Sequence, residues 1–341
     1  MATPPRKIHL VRIAHVYYKY TDLEKARQFL LDFGFAEAKR VKDGNGEDEK
    51  IYFRGYGTEP WVFCAIKSDE SEFGGAAFVV ESEDDLRLAA DTLPKATGVY
   101  ELADAPGGGR CVTFHDPVDG WPMHLVHGQR SVDMLDIPLP HTPVNYPTEK
   151  NRPAGKFQRF TRRPAPVHKL GHFGVRTTSF AKAYEFYCSR FNLFASDLRI
   201  PPKTHEIMHW GKKIVHDAEN IDRTVFYRLD RGKEEVDHHV FFFAEGPSYK
   251  VHHSSFETHD FDTQVLGHDW LREKGHKNCW GVGRHVLGSQ IFDYWFDPSG
   301  FIFEHYVDGD LLTADEPTHR SQAGPGSLHV WGPDVPSSFL E

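Results

Sequence analysis

Two stretches of the chain decide the fold: RIAHVYYKYTDLEKARQFLLDFGF (12–35) and KLGHFGVRTTSFAKAYEFYCSRFNLF (169–194). Each begins with an alternating apolar segment that carries a histidine, His15 or His172, and continues with the apolar spacing of a helix. An alanine follows each histidine at eleven residues and a phenylalanine at fourteen residues. This agreement predicts a duplicated strand–helix–strands unit rather than a short-period repeat.

The two copies also close in the same way, on a strand, an Asp-Pro turn with a following glycine, and a second strand. The closing segments are CVTFHDPVDGWPMHLVH (111–127) and IFDYWFDPSGFIFEHYV (291–307). Proline presets φ and glycine supplies a positive φ, which is the chemistry of a tight turn. We therefore expect an α+β protein with two tandem modules, at residues 8–128 and 166–308.

The remaining segments are expected to lack regular structure. Residues 129–165 are rich in proline, which disfavours helices and strands and suits an extended linker. Residues 201–223 and the tail 309–341 are interpreted as loops. The tail still contains Trp331 and Phe339, so we expect it to pack onto the body of the protein.

Composition excludes several classes of protein. The 341 residues include 40 Lys and Arg against 49 Asp and Glu, a net charge of −9, which argues against a nucleic-acid partner. No apolar run approaches the ~18 residues of a membrane span, and the first residues lack the apolar core of a signal peptide. We expect a soluble, cytoplasmic protein whose four singly placed cysteines are reduced.

Three positions in the second copy could bind a divalent metal: His172, His253 in KVHHSSFE (250–257), and Glu304. Two imidazoles and one carboxylate can occupy one face of an octahedral Fe(II) or Mn(II) and leave positions open for substrate and dioxygen. Side chains alternate along a strand, so only one histidine of the 252–253 pair should face the metal. Taken singly, each histidine could equally be an exposed or hydrogen-bonded side chain.

Five segments of the second copy carry a family resemblance. They are LGHFGV (170–175), DHHVFFF (237–243), VHHSSF (251–256), GVGRHVLGSQIFDYW (281–295) and YWFDPSGFIFE (294–304). With these segments the copy resembles the extradiol ring-cleaving dioxygenases of the vicinal oxygen chelate superfamily, most closely catechol and homoprotocatechuate 2,3-dioxygenases. The tail segment WGPDVPSSF (331–339) resembles the part of the homoprotocatechuate type that closes over the active site.

The resemblance implies a fold of paired βαβββ units in each module and an Fe(II) site, with Mn(II) as the other metal that suits it. It also implies a catecholic substrate, O2 as co-substrate and a homo-oligomer. His172, His253 and Glu304 take the ligand positions. His238 lies fifteen residues before His253 and takes the place of the acid–base histidine.

Two further active-site positions follow from the same resemblance. His285 stands nine residues before Tyr294, and Tyr294 stands ten residues before Glu304, as the family requires. Both side chains are expected to hydrogen-bond to the substrate oxygens. Arg284 is left with two interpretations, a contact to substrate or an ion pair that holds the loop.

The first copy departs from this pattern. His15 occupies the first ligand position, but alignment puts Gly75 opposite His253 and His124 opposite Glu304. Without a second ligand the first module should hold no iron and should act as a scaffold. The rival hypothesis is that His15 and His124 bind a different metal.

Other functions of the same superfamily stay open. Isomerases such as glyoxalase I and non-catalytic drug-binding proteins such as the bleomycin-resistance proteins lack the set formed by His238, His285 and Tyr294. Hydroxyphenylpyruvate dioxygenases share two histidines and a glutamate but not the observed spacing around the turn. The sequence therefore favours ring cleavage, with a glyoxalase-like isomerase or a small-molecule-binding protein as the alternative.

Overall fold

The structure is a computed structural model whose chain folds into two large mixed sheets, one of eight strands and one of ten. The described residues are 6–139, 141, 143–201, 204–209, 212–217, 222–324 and 326–340. Among them, no helix is long and apolar enough to cross a membrane. The four cysteines form no disulfide bonds.

The first sheet contains two consecutive βαβββ units. The first unit consists of β1 (Leu10–Tyr20), α1 (Leu23–Phe33), β2 (Ala36–Lys42), β3 (Asp48–Arg54) and β4 (Phe63–Lys67). The second consists of β5 (Glu72–Val80), α2 (Glu83–Thr92), β6 (Tyr100–Glu101), β7 (Arg110–His115) and β8 (Pro122–His127). The strand order is β2-β3-β4-β1-β5-β8-β7-β6, so the antiparallel pair β1 and β5 joins the two units.

The second sheet repeats this plan with additions. Its first unit consists of β9 (Leu170–Thr177), α3 (Phe180–Arg190), β10 (Leu193–Ile200), β11 (Thr204–His209), β12 (Lys212–Asp217), β13 (Thr224–Leu229), β14 (Val236–Asp237) and β15 (Phe241–Glu245). The second consists of β16 (Lys250–Glu257), α4 (Phe261–Glu273), β17 (Lys277–His285), β18 (Ile291–Phe296) and β19 (Ile302–Val307). The tail adds β20 (Leu311–Leu312), β21 (His319–Gln322), β22 (His329–Trp331) and α5 (Ser337–Leu340).

The strand order of the second sheet is β21-β10-β13-β15-β9-β16-β19-β18-β17-β22. Without its two outermost strands it matches the first sheet position for position, and β9 and β16 form the central antiparallel pair. The prediction of an α+β fold with paired βαβββ units is therefore confirmed. The module boundaries 8–128 and 166–308 stay predictions.

Two segments interpreted as loops contain strands. In 201–223, β11 and β12 pair as an antiparallel two-stranded sheet, so the loop prediction is wrong for these strands, while 202–203, 210–211 and 218–221 lie outside the described residues. The sequence signal was a two-residue Trp-Gly separation between segments that contain isoleucine and valine. In the tail, β21 pairs with β10 and β22 pairs with β17, so the tail joins both edges of the second sheet.

The two modules share one apolar core. The helix α1 of the first module places Phe33 against Phe256 and Phe303 of the second sheet, with ring centroids 6.1 Å apart in both cases. The buried Tyr18 hydroxyl lies 2.8 Å from the Ser254 hydroxyl, across the same boundary. The repeat therefore packs as the sequence suggests, with the first module supplying a surface for the second.

A buried asparagine is expected to be important for the contact between the modules. Asn192 accepts a hydrogen bond from the Leu10 N–H at 2.7 Å and donates to the Leu10 and Asp230 carbonyls at 3.0 and 3.1 Å. Asn192→Ala should lower the free energy of unfolding by about 3 kcal/mol, because the buried N–H and carbonyl of Leu10 and the part-buried carbonyl of Asp230 lose a partner. Urea denaturation measures the loss, and the exposed Asn151→Ala should change stability by less than about 0.5 kcal/mol. Equal effects of the two substitutions would contradict the prediction.

Candidate metal centre

The predicted ligand positions lie on three neighbouring strands, β9, β16 and β19. Ser255 of β16 stands opposite His172 of β9 on one side and opposite Glu304 of β19 on the other. Residues paired across strands share a face, and His253 shares that face with Ser255 because it lies two residues before it. Pairing register and alternation thus aim His172, His253 and Glu304 at the same side of the sheet.

The three side chains converge on one point. His172 Nε2 lies 3.2 Å from His253 Nε2 and 3.1 Å from Glu304 Oε2, and His253 Nε2 lies 3.4 Å from the same oxygen. All three side chains are buried, and Glu304 has no exposed surface at all. Among the described residues, this is the one group of three ligand-type side chains whose donor atoms lie within 4.8 Å of one another.

The chemistry of this group fits a divalent cation. Neither Glu304 oxygen takes part in a hydrogen bond of normal geometry, and a buried carboxylate without partners is costly unless a cation compensates it. Burial opposes ionisation, yet the imidazoles of His172, His253 and His285 hold the Glu304 pKa well below its usual range. Burial lowers the pKa of His253 to about 4, so this imidazole is neutral near pH 7 and has a free lone pair.

His285 and Tyr294 lie beside the three ligand-type side chains. His285 Nδ1 donates to the Leu328 carbonyl at 2.7 Å, which leaves Nε2 to accept a hydrogen bond from the Tyr294 hydroxyl at 2.7 Å. His285 Nε2 also lies 3.7 Å from Glu304 Oε1. Burial, followed by the Glu304 charge, raises the Tyr294 pKa well above 10, so this side chain is a protonated phenol.

The structure does not bring His238 to the cavity. Its side chain turns to the buried Asp197, with His238 Nε2 2.9 Å from Asp197 Oδ2. The next residue, His239, lines the cavity instead, and its ring centroid lies 4.1 Å from that of His172. His238 therefore does not line the cavity in this structure, because the chain bends at residues 238–240 before β15 begins at Phe241 and strand alternation does not extend that far.

Asp197, His238 and His239 form a buried hydrogen-bonded row. Asp197 can only accept, so His238 donates through Nε2 and its Nδ1 accepts from His239 Nδ1, 3.1 Å away. This fixes the His239 tautomer with its lone pair on Nε2. Burial, and then the neighbouring His172 and His238, lower the pKa of His239 well below 6.5. His239 is thus a neutral imidazole that is able to accept a proton at Nε2.

Of the two interpretations of Arg284, a contact to substrate and an ion pair that holds the loop, the structure shows the ion pair. Its guanidinium donates to the Ser289 carbonyl at 2.6 Å and to Asp308 Oδ2 at 2.8 Å, and it does not line the cavity. It therefore holds the loop between β17 and β18 against the start of the tail.

The cavity over this face has a volume of about 790 Å³ and is lined largely by apolar and aromatic side chains. The tail covers the cavity as it runs from β21, at one edge of the second sheet, to β22, at the other edge. Phe339 of α5 is buried, with its ring centroid 4.7 Å from that of Tyr294 and 4.8 Å from that of Trp280. The cavity is closed on this side by the tail itself.

The equivalent place in the first module is filled. His15 is fully buried and stacks on Trp61, with ring centroids 3.5 Å apart. His124 is occupied by hydrogen bonds to the Gly74 carbonyl at 2.9 Å and to the Thr113 hydroxyl at 2.8 Å. Gly75 contributes no ligand, and a Cβ at this position would clash with the Pro122 carbonyl.

Known proteins resemble the chain over almost its whole length. No family model matches it. Metapyrocatechase 2 from Cupriavidus necator is 25% identical over 99% of this chain and 93% of its own. The structure of homoprotocatechuate 2,3-dioxygenase from Brevibacterium fuscum with 3,4-dihydroxyphenylacetate superposes with a TM-score of 0.76, at 17% identity, over 99% of this chain and 95% of that one. The fold is that of the extradiol ring-cleaving dioxygenases.

The same fold also serves other chemistry. A Mn(II)-bound glyoxalase from Novosphingobium aromaticivorans superposes with a TM-score of 0.72, at 20% identity, over 96% of this chain and 93% of that one. The resemblance to vicinal oxygen chelate dioxygenases that the sequence motifs indicate is thus confirmed along the full chain. The choice between the chemistries within this fold depends on the residues of the cavity.

Proposed function

We propose that the protein is a metal-dependent extradiol dioxygenase, which opens the ring of a catechol beside its two hydroxyls and incorporates both atoms of O2. The observation that carries the proposal is the convergence of His172, His253 and Glu304 on one point beside a large cavity that the two histidines line. His239, His285 and Tyr294 line the same cavity and can accept or donate protons. The full-length similarity to a metapyrocatechase supports the same reaction.

We propose Fe(II) as the metal, held by His172, His253 and Glu304, and Mn(II) as the metal that the same donors also suit. When bound, the metal would be chelated by the two catechol oxygens, and its charge would favour their deprotonation and hold O2 next to the ring. The protein's part is to present two imidazoles and an ionised carboxylate that are already oriented by the sheet.

Tyr294 and His285 would orient the catechol. The Tyr294 phenol is a donor, and the hydrogen bond it now makes to His285 can be exchanged for one to a catechol oxygen. The backbone carbonyl of Leu328 fixes the His285 ring, so its Nε2 remains at this place when the substrate enters. Together these two side chains define where the ring oxygens lie.

His239 would move the proton. Its Nε2 lone pair can accept the proton that a catechol hydroxyl loses on binding, and the row from Asp197 through His238 stabilises the resulting charge. The proton is then available for the oxygen atom that is released when the O–O bond breaks during ring opening. This assigns to His239 the acid–base role that the sequence motifs suggested for His238.

A glyoxalase-like isomerase is the second candidate, favoured by the superposition on the Mn(II)-bound glyoxalase. Such an isomerase also needs a metal, so metal content does not separate the two. A non-catalytic binding protein of the same fold is the third. Neither has an evident use for the buried row that fixes the His239 tautomer.

The product distinguishes these functions. Protein reconstituted with Fe(II) without oxygen and then mixed with air and a panel of substituted catechols should give yellow muconic semialdehyde-type products. Mass spectrometry after reaction with ¹⁸O2 should find both labelled atoms in the product. A colourless cis,cis-muconate would contradict cleavage beside the hydroxyls. Absence of ring opening with every catechol, combined with isomerisation of a glutathione hemithioacetal, would favour the glyoxalase alternative.

The expected homo-oligomer and cytoplasmic location stay predictions. The described part of the linker exposes large apolar side chains, among them Met134, Tyr146 and Phe157, whose side chains are more than half exposed.

A further inference from the structure

One wall of the cavity contains a buried cation. Arg199, near the end of β10, is only 4% exposed and lines the cavity. Its Nη1 donates to the Ser327 carbonyl at 3.2 Å, and its Nη2 donates to the Gln322 carbonyl at 3.0 Å and the Ser327 hydroxyl at 2.7 Å. The Nε of the same guanidinium is buried and has no hydrogen-bond partner.

None of these partners carries a negative charge. Among the described residues, no carboxylate oxygen lies within 4.0 Å of the Arg199 guanidinium, and Asp197, two residues away, is paired with His238. Asp334, a carboxylate of the cavity lining, is exposed on the tail and forms no ion pair with Arg199. Burying a cation without a directly paired carboxylate costs several kcal/mol. Burial lowers the Arg199 pKa from its usual value, and the nearby Asp197 charge opposes this shift only in part. If Arg199 served only to hold the tail, an uncharged hydrogen-bond donor would be sufficient, because its acceptors are uncharged.

Arg199 and the ligand group lie on strands that are not neighbours in the sheet. In the sheet, β10 is separated from β9, which carries His172, by β13 and β15. Three strand spacings amount to about 14 Å between the backbones of β10 and β9. The distance from the guanidinium to the ligand group is shorter, because the arginine side chain is long and the sheet is curved. Arg199 and the ligand group therefore belong to strands on different parts of the cavity wall, and the cavity of about 790 Å³ leaves room for a long substituent on a catechol ring.

We propose that Arg199 binds a carboxylate at the far end of the substrate, so that the substrates are catechols with a long apolar substituent that ends in an anion. The apolar walls formed by Phe226, Phe242 and Leu287 would hold the substituent, and the charge of the Arg199 guanidinium would hold its end. This inference rests on the proposed function for the catechol end of the ligand, whereas the anion site rests on Arg199 alone.

A matched pair of ligands tests it: a catechol with a pentanoate chain at ring position 4, and the pentyl catechol of the same length. Binding to the metal-loaded protein is measured without oxygen by calorimetry, and ring opening is measured in air. The wild type should bind the anionic ligand about 10-fold to 100-fold more tightly than the neutral one. This ratio should fall to about one in Arg199→Met and be partly kept in Arg199→Lys.

Arg228→Met is the control. Arg228 is also buried and also holds the tail, through the Glu316 carbonyl, and it donates to the Ser196 hydroxyl of β10, but it does not line the cavity. Its variant should keep the anion preference. Equal binding of both ligands by the wild type would overturn the inference, and so would the same loss of preference in both variants. If ring opening continued in that case, the anion site alone would be refuted and the proposed reaction would stand. An Arg199-dependent preference without ring opening would support the anion site and instead refute the proposed reaction.

Discussion

His253→Ala is expected to abolish both metal binding and ring opening. The wild-type protein should bind one Fe(II) or Mn(II) per chain, because the second module alone brings three donor atoms within 4.8 Å of one another among the described residues. Removing His253 leaves a single imidazole and a carboxylate, which no longer occupy one face of an octahedral ion. Metal analysis after desalting should find less than about a tenth of the wild-type content, and turnover should be lost with it.

The first module provides the matched control. His124 is a buried histidine at the position aligned with Glu304, but both of its ring nitrogens already have hydrogen-bond partners within the module. His124→Gln should therefore keep one metal per chain and most of the activity. Two tightly held ions per wild-type chain, or full metal content in His253→Ala, would show that the ligands are assigned wrongly.

Much of the fold could be predicted because it depends on local patterns that occur twice. The matched distances from His15 to Ala26 and from His172 to Ala183 reflect the same strand and helix in each copy. The Asp-Pro turns mark the strand pairs that close the units. The three ligand-type side chains converge as expected, because alternation along a regular strand directs only one histidine of the 252–253 pair to that face, and the family resemblance selected His253.

The remaining features depend on contacts between distant segments. No local pattern indicates that the tail pairs with both edges of the second sheet, since this requires β10 and β17 to be the outer strands of the preceding units. Arg199 escaped notice for the same reason, because its burial and its unpartnered Nε arise only when the tail covers it. A lone arginine in a strand carries no signal of such a site.

The sequence could not separate His238 from His239 for a different reason. A family spacing of about fifteen residues does not separate two adjacent histidines. Counting alternation back from Phe242 and Ala244, which line the cavity, also selects His238. The backbone leaves the extended conformation before Phe241, so the actual orientation follows from the bend and from the buried Asp197, which captures His238.

His239→Asn should leave the metal in place and slow ring opening by about 10²-fold to 10⁴-fold, the loss typical of a missing general acid–base group. The loss of turnover in His238→Asn should be at least about tenfold smaller than the loss in His239→Asn, because His238 acts on the substrate only through its hydrogen bond to His239. Turnover at saturating catechol, with the metal content of each variant measured beside it, gives the comparison.

The order of these two effects is the decisive result. A larger loss in His238→Asn would mean that the bend at residues 238–240 turns the other way when substrate is bound, and would restore His238 to the cavity. Loss of metal from His239→Asn would instead make His239 a ligand, which its Nδ1 contact with His238 and its ring position beside His172 do not favour. Asp197→Asn adds a further constraint, because its amide can donate to His238, reverse the tautomers along the row and place a proton on His239 Nε2. That variant should keep its metal and its affinity for catechol but lose turnover, since the imidazole that must accept the substrate proton already carries one.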